Sequence, residues 1–133
     1  MIPLHAPHIS KKDIKKVSET LKSGWVSTSG KVITEFEKKI AHYVGSKYCV
    51  AVSSGTSALH LALRVAGVKI NEEVIVPTIS FIAPINAVNY NSAIPVFMDS
   101  DDNLNIDETK VIKFINNETY FYNNQTYNKN TKK

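Results

Sequence analysis

The sequence predicts an α/β fold in which a mostly parallel sheet is flanked by helices. Three observations carry that prediction: short apolar runs recur at residues 48–52, 73–76 and 95–98, helical patterns lie between them, and the connections are brief. Strand, helix, strand, helix, strand in this rhythm marks parallel β-α-β units. Right-handed crossovers then place a ligand crevice at the carboxyl ends of the strands.

The elements follow in order. Ser10-Lys-Lys-Asp13 has the form of a capping box, and Ile14, Val17 and Leu21 continue at helical spacing until Ser23-Gly24, which predicts an amphipathic first helix. Thr34-Glu-Phe-Glu37 repeats the capping signature. Phe36, Ile40, Tyr43 and Val44 then form the stripe of a second helix that stops at Gly45. Residues 48–52, Tyr-Cys-Val-Ala-Val, are almost wholly apolar and read as a strand covered on both faces. After Ser53-Ser-Gly-Thr-Ser57, the residues Ala58, Leu59, Leu61, Ala62, Leu63 and Ala66 predict a helix apolar around most of its circumference, as expected of an enclosed element. Gly67 closes it. A strand over 73–76 ends at Pro77, a helix over 81–89 tolerates Pro84 only near its first turn, and a strand over 95–98 ends at Asp99. Three polar segments, 53–57, 78–81 and 99–102, thus follow strand ends and converge on one edge. Residues 116–133 contain six asparagines and only four apolar side chains, all aromatic. This tail is either a small hairpin turning at Asn123-Asn124 or a disordered end.

Composition bounds the rest. With 133 residues and 43% of them apolar, the chain suits one globular unit with a core that needs no metal or disulfide. Cys49 is the only cysteine, so no disulfide forms within these residues, four-cysteine zinc sites are excluded, and a reducing cytoplasm is expected. Residues 1–13 are broken by histidine and proline and lack an apolar segment, so they do not read as a secretory leader. No stretch approaches the ~18 apolar residues of a membrane span. The net charge of +4 divides into +4 over 1–45, −3 over 46–107 and +3 over 108–133. The lysines pair as Lys11-Lys12, Lys15-Lys16 and Lys38-Lys39 between apolar helical positions, which reads as a solvated helix face rather than a nucleic-acid surface.

The strongest chemical signal is the strand-to-helix junction at Ser53, Ser54, Gly55, Thr56 and Ser57. A helix N-terminus offers unpaired N–H groups and roughly half a positive charge, and a glycine there lets backbone approach an anion. An ordinary serine N-cap explains one hydroxyl but not four around a glycine. The loop has neither the G-x-G-x-x-G of a dinucleotide site nor the G-K-[ST] of a P-loop, so a monophosphate ester is the natural anion. It also lacks G-x-S-x-G, which argues against a hydrolase nucleophile. Phe81, at the same sheet edge, reads equally as a ring that stacks on a flat cofactor or as a core phenylalanine. Trp25, in the polar loop Ser23-Gly-Trp-Val-Ser-Thr-Ser-Gly30, reads as a binding or subunit-contact residue or as a packing anchor. His5, His8, His42 and His60 are scattered and predict no metal site.

Taken in order, Ser23 to Gly30, Phe36-Glu37, Tyr43-Val-Gly45, Ser54-Gly-Thr-Ser-Ala-Leu-His-Leu-Ala-Leu63, Glu73-Val-Ile-Val-Pro77, Phe81, and Pro95-Val-Phe97 with Asp99 resemble the DegT/StrS family of nucleotide-sugar aminotransferases, over residues 3–115. Leu104-Asn-Ile-Asp107 and the asparagine-rich excursion are similar to the branch that aminates UDP-linked 4-keto-6-deoxy sugars for legionaminic acid or bacillosamine. The resemblance implies the N-terminal part of a fold-type-I pyridoxal-phosphate transferase large domain over 1–115, followed by the polar tail. It also implies an obligate homodimer, a nucleotide-linked 4-keto-6-deoxy sugar as substrate and an amino donor such as glutamate. Gly55, Thr56 and Ser57, with Ser54 beside them, match the loop that holds the cofactor phosphate. Phe81 matches the aromatic that stacks on the pyridine ring, and Trp25 and Ser27 match the segment lining the substrate side.

Pyridoxal chemistry also needs a Schiff-base lysine and a carboxylate on the pyridine nitrogen. The family supplies both from sequence beyond position 133, so no catalytic residue is assigned here. A strand over 48–52 would hold Lys47 roughly 17 Å from the phosphate loop, and Lys69 falls at the same far edge. Two readings stay open: part of an aminotransferase whose C-terminal portion completes it, or a non-catalytic phosphate, nucleotide-sugar or dimerisation module.

Overall fold

The computed structural model describes residues 5–133, and these fall into two compact units that divide between Ala51 and Val52. The first four positions of the expected leaderless N-terminus lie outside the described residues.

In the first unit, α1 spans Lys11–Lys22 and opens on the expected capping box. The Ser10 hydroxyl accepts the Asp13 N–H at 3.3 Å, and the Asp13 carboxylate accepts the Ser10 N–H at 2.7 Å. Helix α2 spans Lys31–Tyr43, and its N-cap Gly30 lies four residues ahead of the expected N-cap Thr34. The preceding loop folds back on buried Gly30, where a Cβ would meet the Trp25 carbonyl at 3.5 Å, and the Gly30 carbonyl takes the first helical bonds from Ile33 and Thr34. Glu37 is therefore free of capping duty and accepts the Ala51 N–H at 2.9 Å.

The expected strand over 48–52 does not form. These residues have no ladder partner among the described residues, and Tyr48 and Val50 are exposed. An apolar run records what a segment would bury, whereas a strand also requires a neighbour for its backbone N–H and C=O groups. The spacing inferred for Lys47 loses its strand as well. The Lys47 ammonium lies over the Tyr48 ring, 5.1 Å from its centroid.

The second unit keeps the parallel pair. Strand β1, Glu73–Pro77, pairs in parallel with β2, Ile94–Met98, in register from Glu73↔Ile94 to Pro77↔Met98. Helices α3, Gly55–Val65, and α4, Ile82–Tyr90, pack together, with Pro84 in the first turn of α4. Val76, Val88 and Ala93 form the buried core, with Leu63, Val68, Val74 and Ile85 packed against them. The starts of the strands are pinned by the Asn71 N–H on the Ser92 carbonyl at 2.8 Å and the Ile94 N–H on the Glu72 carbonyl at 2.9 Å. Among the described residues α3 is covered on one side only. Only one stripe packs, and Leu59, Leu61 and Val65 remain exposed, because the described residues supply α3 with one neighbouring helix.

Beyond β2 the chain forms α5, Glu108–Glu118, which the sequence reading did not assign. The tail takes the hairpin alternative. Strand β3, Thr119–Tyr122, pairs antiparallel with β4, Gln125–Asn128, and the turn uses Asn123 and Asn124 at φ +48° and +59°. Asparagine tolerates that left-handed region better than most residues.

Candidate functional site

Helix α3 leads through Gly67 to the start of β1, and α4 leaves the end of β1 and returns to the start of β2. The N-termini of both helices therefore belong to the edge where the strands end. Ser54 is the N-cap of α3, and its hydroxyl accepts the Ser57 N–H at 3.1 Å while lying 3.0 Å from the Ser57 hydroxyl. Ser53 adds a longer hydroxyl contact to Ser57, at 3.4 Å. Ser54 is thus occupied as a cap. The N–H groups of Gly55 and Thr56 and the Thr56 hydroxyl have no partner among the described residues, as the first turn of a helix leaves them. A Cβ built on Gly55 would meet nothing within 4 Å, so no other residue crowds the first position of α3.

Phe81 is the N-cap of α4, and its ring is 89% exposed. Among the described residues it packs into no core, and an aromatic face stands open at this edge. Trp25 and Ser27 belong to the first unit. Among the described residues Trp25 is 61% exposed and Ser27 is exposed.

The end of β2 carries an arrangement that the sequence reading missed. The Lys110 ammonium lies 2.6 Å from the Asp99 carboxylate and 3.4 Å from that of Asp107. The Asp107 N–H bonds back to the Asp99 carbonyl at 2.9 Å, and Asp107 caps α5 through the Lys110 N–H at 3.0 Å. The hydrogen bond from Lys110, and then that from the Ser100 N–H, hold the Asp99 carboxyl below the usual aspartate range. The same contact with Asp99 raises the Lys110 amine above the usual lysine range. Asp107 three residues before Lys110, with Val111 and Phe114 following, is the N-cap signal that could have located α5. A cleft of about 610 Å³ opens at the opposite end of this unit, between the C-termini of α3 and α4, and includes Arg64, Lys69 and Tyr90 in its lining. It takes no part in the strand-end site.

A profile of the DegT/DnrJ/EryC1/StrS aminotransferase family matches residues 7–122. The chain belongs to this family. It is 45% identical over 101 residues to the GDP-perosamine synthase of Escherichia coli O157:H7, covering 76% of this chain and 28% of that protein. Identity is also 45% over 111 residues with the spore coat polysaccharide biosynthesis protein SpsC of Bacillus subtilis, covering 83% of this chain and 28% of that one. The sugar aminotransferase Spr1654 from Streptococcus pneumoniae, in its PMP form, superposes with a TM-score of 0.77 at 33% identity, over 84% of this chain and 28% of that chain. The chain thus spans under a third of the length of these relatives. In the family setting, the phosphate fit can be judged on this chain's own atoms. Two free backbone N–H groups and a free hydroxyl at a helix N-terminus, beside a glycine with no neighbour crowding it, form a donor set that suits a phosphate monoester. No group of acidic, histidine and cysteine side chains that could hold a metal occurs among the described residues. None of the described helices is long and apolar enough to cross a membrane.

Proposed function

We propose that this chain supplies the cofactor-phosphate and ring-stacking part of a pyridoxal-phosphate-dependent aminotransferase acting on a nucleotide-linked 4-keto-6-deoxy sugar. The α3 N-terminus carries the proposal. Gly55, Thr56 and Ser57 hold the cofactor phosphate, with Ser54 fixing the first turn, and the helix dipole favours its charge. Phe81 covers one face of the pyridine ring, which orients the ring and excludes water from that face. Trp25 and Ser27 contribute to the sugar side. Pyridoxal phosphate, when bound, supplies the electron sink that lets an amino group pass from a donor such as glutamate to the keto sugar.

On this reading residues 1–115 are part of the family's large domain, and 116–133 form an appended polar hairpin. Sequence beyond position 133 and a second copy of the chain complete a cytoplasmic homodimer. The UDP-sugar branch suggested by Leu104-Asn-Ile-Asp107 and the asparagine-rich tail belongs to the same proposal.

Titration with inorganic phosphate and with pyridoxal phosphate tests the site. Two or three hydrogen bonds to a charged group, at about 1.5–3 kcal/mol each before binding entropy is subtracted, predict weak but measurable affinity. Thr56→Pro keeps a residue that the first turn of a helix accepts while removing an N–H and a hydroxyl, and should weaken both ligands. Phe81→Ala should weaken pyridoxal phosphate but not inorganic phosphate, and should leave the fold intact because the ring is exposed. Equal phosphate affinity in wild type and Thr56→Pro would contradict the assignment.

A further inference from the structure

The hairpin and the residues after it are tied to the sheet by one carboxylate. Glu73, the first residue of β1, accepts the Asn128 side-chain amide at 2.9 Å on one oxygen and the Thr131 hydroxyl at 2.7 Å on the other. Asn128 is buried, only 8% exposed, and its own side-chain oxygen accepts the Asn130 N–H at 3.0 Å. The returning segment is closed further by the Lys129 N–H on the Glu118 carbonyl and by the Lys132 N–H on the Asn128 carbonyl, both at 2.8 Å. Polar bonds define this junction on every side.

The packing beneath it is incomplete. A cavity of about 250 Å³ separates Ile75 and Val96, opposite each other in the parallel pair, from Phe114, Ile115 and the hairpin. This is the sheet face opposite the one that packs on α3 and α4, because Val74 and Val76 alternate with Ile75 along β1. The aromatic residues of the hairpin do not fill the space. Tyr120 stacks on Tyr127 at 5.6 Å, and Phe121 and Tyr122 are exposed.

We propose that residues 119–133 form a strap, held over the second face of the parallel sheet by the Glu73 latch and able to open as a unit without unfolding the α3–α4 side. A cover with a cavity beneath it leans on its hydrogen bonds for closure, and bonds to a charged acceptor are the stronger kind. Opening it uncovers Ile75 and Val96. The strap thereby controls access to one face of β1, the strand that ends at Pro77 and leads to Phe81.

Native-state hydrogen exchange on the 133-residue chain tests this. In wild type, the amides that pair β3 with β4 should exchange at least about tenfold faster than those of Val76 and Val88. Thr131→Val and Glu73→Gln should each speed hairpin exchange further, by about tenfold, with α3 and α4 amides unchanged. The two substitutions act on one contact, so the double variant should show less than the product of the single effects. Thr131 is exposed, and its replacement keeps the test valid even if Glu73→Gln perturbs the strand. Hairpin amides that exchange at the same rate as the core, or that are unmoved by Thr131→Val, would overturn the strap.

Discussion

At the scale of single residues, the lysines decide what this chain can do chemically by itself. Lys110 stands at the carboxyl edge of the sheet, where a nucleophilic amine would be useful, but Asp99 and Asp107 hold it as an ammonium. An amine whose pKa is raised carries its proton throughout neutral pH and does not attack a carbonyl. Lys69 lies in the turn that leads into β1, at the far edge. Borohydride reduction of the chain in the presence of pyridoxal phosphate, followed by mass mapping, should accordingly yield only slow, scattered modification of exposed lysines. A stoichiometric adduct on one lysine would show that this chain holds a reactive amine that its ion pairs do not reveal. Phe81 and Ser54 show how a residue's type underdetermines its use. The phenyl ring could have been core and is exposed, and the serine that looked like one phosphate ligand among four is engaged as a cap.

At the scale of elements, helix ends dominate. The capping box of α1 was legible because its two hydrogen bonds are local and depend on side chains three residues apart. The Ser10 hydroxyl, and secondly the Ser10 N–H, hold the Asp13 carboxyl below its ordinary value. A depressed folded-state pKa means that the contribution is complete above the unfolded value, near pH 3.9, and is lost as pH falls through the lower folded value. An NMR titration should find the Asp13 midpoint below that of a free aspartate, and Ser10→Ala should move it part of the way back because the backbone donor remains. A wild-type midpoint at or above the free value would contradict the capping geometry. The start of α2 was misplaced for the converse reason. Gly30 acts there through the fold of residues 25–30 around its backbone, a contact that no side-chain pattern announces.

At the scale of the whole molecule, apolar surface is the dominant feature. In the first unit Ile14, Val17 and Leu21, the apolar face of α1, are all about 60% exposed, and in the second Leu59, Leu61 and Val65 on α3 are open. The two outer edges of the β1–β2 pair have no strand neighbour among the described residues, and such edges are templates for association. Exposure of a few hundred Å² of apolar surface, at about 25 cal/mol per Å², gives several kcal/mol of drive toward association before entropic costs. Sedimentation of the 133-residue chain at micromolar concentration should therefore show concentration-dependent self-association. A monodisperse monomer that melts cooperatively would refute this and favour the self-contained binding module.

The sequence by itself determined the α/β class, both strands of the parallel pair, the approximate extents of α3 and α4, the serine- and threonine-rich junction at the α3 N-terminus and the family. Each of these rests on periodicity, on a local capping or turn preference, or on a contiguous motif, all of which are written along the chain. Only the tertiary structure decided that residues 48–52 lack a ladder, that α3 is half uncovered, that Phe81 faces outward, and that Asp99 with Lys110 and Glu73 with Asn128 and Thr131 form contacts. Those outcomes depend on partners 11 to 58 residues away in sequence or on the absence of a neighbour among the described residues. Composition and spacing record what a residue prefers to bury or bind, and the packed chain determines which partner it meets.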